Sequence, residues 1–170
     1  MIALSMHPLA EVEPSMIIEM HGLPHVVGLL NTPTVDEVVR RSKHESSRDF
    51  VAFGSDGHPV GLLLMDRIHP WLYELSRIIS VRQGEGIGSS MMRWALRHIF
   101  DENGAHRAFL EVHESNRTAR RLYDSFGFLQ EGTYRDGFQN PTDGGFENLC
   151  PYGLLDADYR AWIERRGPLV

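Results

Sequence analysis

Gln83-Gly84-Glu85-Gly86-Ile87-Gly88-Ser89 follows an apolar run, residues 75–81, and opens a stretch with helical periodicity, residues 89–100. Such a junction turns a strand into a helix. Glycines at alternate positions let the backbone turn tightly and come close to a ligand, and the first-turn N–H groups of the coming helix have no partner inside it. A pyrophosphate suits those donors and the positive end of the helix dipole. A plain strand-to-helix turn with glycines for steric reasons would look similar, so the spacing has to decide.

A dinucleotide fingerprint requires G-x-G-x-x-G and an acidic ribose-binding residue further on; here the glycines fall as G-x-G-x-G and no such residue follows. The mononucleotide P-loop fails too, for lack of a Gly-Lys-Ser/Thr. What fits is Q/R-x-x-G-x-G, with Gln83, Gly86 and Gly88 at its three fixed positions. The stretch resembles the coenzyme A pyrophosphate loop of the GNAT (GCN5-related) N-acetyltransferases.

A chain of 170 residues can bury one sizeable core, and no linker or composition shift divides it. The expectation is one domain over residues 1–170, with 156–170 as its C-terminal helix and tail. Apolar and charged fractions of 42% and 24% are those of an ordinary globular protein and exclude disordered and fibrous classes. Apolar runs are too short to cross a bilayer, and the first residues lack the basic segment of a signal peptide, which makes the cytoplasm the default. Cys150 is the sole cysteine, so no intramolecular disulfide can form; a buried apolar role is expected for it over an acyl-carrying one. A formal charge of -6 argues against nucleic acid or an anionic membrane as partner and is more permissive of a cationic substrate. The nine histidines form neither H-x-H nor H-E-x-x-H, so no metal site is expected.

Periodicity sets the order of elements. Residues 2–6 read as a strand and 14–20 as a helix. Thr34-Val35-Asp36-Glu37 reads as a capping box opening a helix to about residue 45. Residues 50–53 and 59–65, joined by Gly54-Ser55-Asp56-Gly57, form a hairpin, and 72–81 the next strand. In the following helix Ile87, Met91, Trp94, Ala95, His98 and Ile99 make an apolar stripe. Residues 107–113 read as a buried strand parallel to 72–81, then come a helix over 116–126, a strand over 128–134, a turn at 140–145, a strand over 146–155 and a helix over 156–166. This is a mixed α/β (α+β) sheet flanked by helices, which also resembles the GNAT-like acyl-CoA N-acyltransferase fold.

A second block strengthens the resemblance. Residues 110–128 look like the GNAT segment L-x-V-x-x-x-N-x-x-A-x-x-L-Y-x-x-x-G-F, covering Leu110, Val112, Asn116, Ala119, Leu122, Tyr123, Gly127 and Phe128. The likeness is strong over residues 50–155 and weak before them. Asn116 and Tyr123, seven residues apart, share one helix face. Without the family, Ser115 or Asn116 reads as the helix cap and Tyr123 as a core aromatic with its hydroxyl bonded to a backbone group.

The resemblance implies an acetyl-CoA-dependent N-acetyltransferase acting on a primary amine: a peptide N-terminus, a small amine or an amino acid. It implies coenzyme A contacts at Ile79, Val81, Gln83, Gly84, Glu85, Gly86, Ile87, Gly88, Ser89 and Asn116. Tyr123 would be the general acid at the sulfur, and Glu111 stands where N-terminal amine acetyltransferases of the family place a general base. Glu111 reads equally as a strand carboxylate paired with Arg107 or Arg77, and Glu74 also lies near the strand ends. In the family the pantetheine amides lie in the gap where the strand before the loop leaves its neighbour, and residues 20–35 and 134–145 would line the acceptor site, with His21, His25, Tyr134, Arg135, Asp136 and Phe138 among them. The central block is most similar to the branch that includes ribosomal-protein N-terminal acetyltransferases.

The chemistry needs a base, because an α-amino group near pKa 7.7–8.0 is only about one tenth neutral at pH 7. It also gains from an acid at the departing thiolate and a main-chain donor for the thioester oxygen. Two features depart from the family pattern: Gln83 replaces the common Arg, and Glu85 sits in a phosphate-facing loop and must point to solvent. The alternative function is a non-catalytic acyl-CoA-binding module of the same fold, needing neither Tyr123 nor Glu111. A homodimer through the last strand or the Trp162 helix is compatible with the sequence.

Overall fold

The computed structural model describes residues 2–167. Its contacts gather the chain into two compact units, one holding the residues up to Arg67 with Leu75–Met92, the other Ile68–Glu74 with the chain from Arg93 onward. Together their elements make a mixed α/β protein with a mostly antiparallel sheet flanked by helices.

The first unit is built on strands β1 (Ser5–Pro8), β2 (Phe50–Phe53), β3 (Pro59–His69, to Arg67) and β4 (Leu72–Ser80, from Leu75), in that order across the sheet. β1 and β2 run antiparallel, Ser5 opposite Phe53 and Pro8 opposite Phe50. β2 has only four residues, so residues 2–4 find no partner and the expected strand starts later, at Ser5. The expected hairpin joins β2 to β3, Gly54 N–H bonding the His58 carbonyl at 2.9 Å. Two helices, α1 (Pro14–His21) and α2 (Val35–Ser42), bring Ile17, Met20 and Val38 into a core with Leu9, Val26, Val51, Leu62, Leu64 and Ile79.

The capping box at Thr34 is present: Glu37 N–H donates to the Thr34 hydroxyl at 3.3 Å, and Thr34 N–H to the Glu37 carboxylate at 2.7 Å. α2 ends at Ser42, three residues before the expected limit. The chain there is drawn toward β3, where Arg48 N–H donates to the Met65 carbonyl at 2.8 Å and Arg67 N–H to the Ser46 carbonyl at 2.8 Å.

In the second unit the start of β4 runs parallel to β5 (Arg107–His113) over Leu72–Glu74, as the sequence suggests. β5 pairs antiparallel with β8 (Phe146–Leu155) along its whole length, from Arg107 opposite Leu155 to His113 opposite Leu149. The other edge of β8 carries two pieces, β6 (Leu129–Gln130) and β7 (Tyr134–Gln139), where one strand over 128–134 was expected. The break falls opposite Pro151, which has no N–H to donate to a ladder. There Glu131 N–H bonds the Pro151 carbonyl, and the Glu131 carboxylate pairs with Arg107.

α3 (Ile87–Leu96) begins two residues before the expected helix and passes into a π-helical turn, Arg97–Glu102. The anticipated stripe holds at Ile87, Met91, Ala95 and Ile99, while Trp94 and His98 are half-buried and stack on each other at 5.0 Å. α4 (Arg117–Ser125) and α5 (Asp156–Arg166) complete the unit. Trp162 is buried, stacked on Phe126 at 5.3 Å with its indole N–H on the Ser125 carbonyl at 2.9 Å. Both edges of β8 are paired as well.

Candidate active site

The loop between β4 and α3 carries the strongest sequence signal. Gly84 and Gly86 sit at φ +80° and +78°, in the left-handed region that favours glycine, and a Cβ at either would meet no atom within 4 Å. The main-chain N–H groups of residues 83–89 donate to no group among the described residues. The first helical bond comes from Ser90 N–H onto the Gly86 carbonyl at 3.0 Å. Residues 83–86 are exposed, Gly88 and Ser89 half-buried, and Ile87 is buried with its side chain in the core, so Ile87 offers the loop only its N–H. This is an open cradle of unused donors at the positive end of a helix.

Glu85 is exposed, as expected, and pairs with Arg82, whose Nε is 3.2 Å from its Oε2. Arg82, a cation beside Gln83, carried no signal in the sequence motif. On β4, Ile79 is buried in the core, and Val81 just beyond the strand gives its N–H to the Val60 carbonyl at 2.8 Å. Val81 therefore has only a carbonyl to offer along the main chain.

In the second unit Asn116 caps α4, its Oδ1 accepting Ala119 N–H at 3.1 Å. Of the two caps foreseen, the structure uses Asn116, and the Asn116 amide group keeps its N–H donors. Tyr123 is buried between Phe128 and Tyr152, each ring 6.0 Å away. Its hydroxyl has no hydrogen-bond partner among the described residues, so the expected backbone tie is absent. Burial alone pushes its pKa up to about 12, which keeps the hydroxyl protonated.

Glu111 is exposed on β5 and pairs with neither cation proposed for it: Arg107 is held by Glu131, and Arg77 bonds His21. Of the residues expected from the 134–145 segment, Tyr134, Arg135 and Asp136 are exposed, and Phe138 stands edge-on to His113 at 4.2 Å. Cys150 is fully buried, as anticipated.

The first unit also contains a cavity of about 400 Å³, lined by Leu9, Ile17, Val38 and Leu64 together with residues 31–33, Glu37, Arg41, Ser76 and Arg77. Arg41 is paired with two carboxylates, its Nε 2.7 Å from Asp49 and its Nη2 2.8 Å from Asp66. Arg77 has no carboxylate partner among the described residues. Its Nη1 donates to His21 Nε2 at 2.8 Å, while His21 Nδ1 donates to the Ile17 carbonyl at 2.7 Å. Burial lowers the pKa of His21, holding it neutral. His25 donates to the Ser80 carbonyl at 2.9 Å. The periodicity reading placed Arg77 in a strand without assigning it to a site; its one signal was a cation inside the apolar run 75–81.

Among the described residues no cluster of His, Cys, Asp and Glu is suited to a metal ion, and no helix is long and apolar enough to cross a membrane. Against the curated proteins the chain gives no significant match. Solved structures resemble it along most of its length. A spermidine N-acetyltransferase from Vibrio cholerae, in complex with CoA and spermine, is 21% identical, with a TM-score of 0.81 over 92% of this chain and 98% of that one. A GCN5-related N-acetyltransferase from Brucella melitensis is 20% identical, with a TM-score of 0.77 over 98% of this chain and 82% of that one. At such identities the likeness carries the fold. The sequence profile of the Acetyltransferase (GNAT) family matches residues 19–128, a span that contains both the glycine loop and the Asn116–Tyr123 helix, and the chain belongs to that family.

Proposed function

We propose that the chain transfers the acetyl group of acetyl-CoA to a primary amine by direct attack in a ternary complex, acting as one acetyltransferase domain. The observation that carries this reading is the run of unused N–H groups over residues 83–89, in a loop with open space at Gly84 and Gly86. These donors fit a pyrophosphate, and family membership supports coenzyme A as its owner. The V. cholerae relative was solved with CoA and spermine, in keeping with a soluble amine as acceptor.

Gln83, Gly84, Glu85, Gly86, Ile87, Gly88 and Ser89 hold the diphosphate with main-chain nitrogens, so the side chain of Glu85 need not face it. Ile79 and Val81 would meet the pantetheine arm through the main chain, and Asn116 through its amide N–H groups, its oxygen being the helix cap. Tyr123 donates its proton to the departing thiolate; a hydroxyl with no internal partner and a pKa of about 12 is protonated at any physiological pH. Glu111 takes the proton of the attacking amine, directly or through water, from an exposed position on β5. Much of the rate would come from holding the two reactants together.

The acceptor is proposed at the level of a primary amine. A peptide N-terminus has the support of block 110–128, which resembles the ribosomal-protein branch; small amines and amino acids have the support of the cavity in the first unit. The lone, buried thiol of Cys150 suits a reducing cytoplasm. Incubation with acetyl-CoA and a broad amine panel, read by release of free thiol, tests the proposal. Thiol release with at least one amine is expected; silence across the panel together with no coenzyme A binding by calorimetry would refute it.

A further inference from the structure

The cavity of the first unit is lined by apolar residues, Leu9, Ile17, Val38 and Leu64, and by polar ones among which Arg77 stands out. The other charged groups there have close polar partners of their own. Arg41 is shared between Asp49 and Asp66, Asp49 also accepts Met65 N–H at 3.0 Å, and Glu37 holds Thr34 through Oε2. Arg77 is half-buried with no carboxylate within ion-pair distance among the described residues; Asp49 and Glu37 act on it only from further away. A guanidinium half-removed from water without a carboxylate in contact is costly, and its five donors suit a carboxylate in bidentate geometry.

His21 explains how that charge is held. Its Nδ1–H is committed to the Ile17 carbonyl, so the lone pair on Nε2 faces Arg77 and accepts from Nη1. A neutral acceptor orients the guanidinium without neutralising it. A carboxylate in His21's place would have cancelled the charge.

We infer that Arg77 is a specificity-determining residue that binds the carboxylate of the acceptor, so that the preferred substrate is a carboxylate-bearing amine with an apolar body, of the amino-acid class. The term acceptor rests on the acetyltransferase reading above; the anion subsite stands on the cavity alone.

The test separates binding from turnover. 4-Methylpentanoate, the leucine skeleton without its amine, is titrated by calorimetry into the coenzyme A-loaded protein beside 4-methylpentanamide, which keeps the shape and loses the charge. The acid is expected to bind at least tenfold more tightly than the amide, and Arg77→Gln to abolish that preference, with Arg77→Lys recovering part of it. Equal binding of acid and amide, or no binding of the acid, overturns the inference, and this wild-type comparison decides even if Arg77→Gln fails to fold. In turnover, Arg77→Gln is expected to raise KM for leucine at least tenfold with kcat little changed, and to alter KM for isopentylamine and spermidine by less than about threefold; comparing each amine with itself cancels differences in basicity. An equal effect on all three also overturns it. Thiol release from spermidine without binding of the acid would sink the subsite and leave the acetyltransferase standing, whereas acid binding with no thiol release from any amine would do the reverse.

Discussion

Arg82 Nε lies 3.2 Å from Glu85 Oε2, so the acidic residue inside the glycine loop is partnered by the basic residue at the loop's start. Both side chains are well exposed, at 57% and 46%. As a surface pair it adds little to stability. Its importance is electrostatic, since it sets how much positive charge the loop presents.

That arrangement makes the loop's charge adjustable. Glu85→Gln removes a like charge and frees Arg82, and is expected to tighten coenzyme A binding by about twofold to fivefold at low ionic strength. Arg82→Gln should weaken it by a similar factor. Both effects should fade toward 0.5 M salt, about where screening falls below roughly 5 Å. Calorimetric titration at two salt concentrations checks this; an unchanged ratio between them would mean that the side chains act through loop shape.

Tyr123 permits a clean separation of catalysis from packing. Its hydroxyl has no internal hydrogen bond to lose, so Tyr123→Phe should leave the urea midpoint and coenzyme A affinity nearly unchanged. If the hydroxyl protonates the thiolate, kcat should fall by about 10²-fold to 10⁴-fold. A protein of unaltered turnover and unaltered stability would return the tyrosine to the role of a core aromatic, and with it the reading as a non-catalytic binding module would gain ground.

Where local chemistry dictates structure, the sequence was legible. β5, β8 and α5 fall on the residues that periodicity selects, and the Thr34 box and the glycine loop sit where their side chains require. What escaped depends on partners distant in sequence. The strand expected over 128–134 divides because Pro151, on another strand, cannot donate to it. The same holds for the cavity: Arg77, His21 and Arg41 lie on three elements, and no spacing rule connects them. That Arg41 is matched and Arg77 is not follows from Asp49 and Asp66, which are visible only once the chain is folded. Glu111 shows the opposite limit, since its motif position was readable but its exposure was not.

His21 should give acid stability a recognisable slope. Its folded pKa lies below the ordinary 6.5, with desolvation as the main cause. As pH falls below about 6.5 the unfolded chain takes up a proton that the native state resists, so stability drops with falling pH, by at most about 1.4 kcal/mol per pH unit for this one group. Above that pH the group contributes no slope. His21→Gln removes the titration and should flatten the change between pH 7.5 and 5.5, as read from urea midpoints; a variant with the wild-type slope would assign the acid sensitivity to other groups.

Gly61 tests how tightly β3, β4 and α3 fit within the first unit. A Cβ at this position would lie 2.6 Å from Met91 Sδ, 2.8 Å from its Cε and 3.0 Å from the Ile79 carbonyl oxygen. The methionine end can swing aside, but the carbonyl belongs to the sheet and cannot. Gly61→Ala should therefore destabilise by about 1–3 kcal/mol, the usual range for overpacking. Met91→Ala alone should also destabilise, by leaving a void. In the double variant the two costs should fall short of their sum by at least about 0.5 kcal/mol, because the new methyl occupies space that the thioether vacates. Strict additivity would show that the Ile79 carbonyl, and not Met91, is the obstacle. In that case Gly61→Ala should also weaken coenzyme A binding, since Ile79 stands four residues before Gln83 on the strand that feeds the loop.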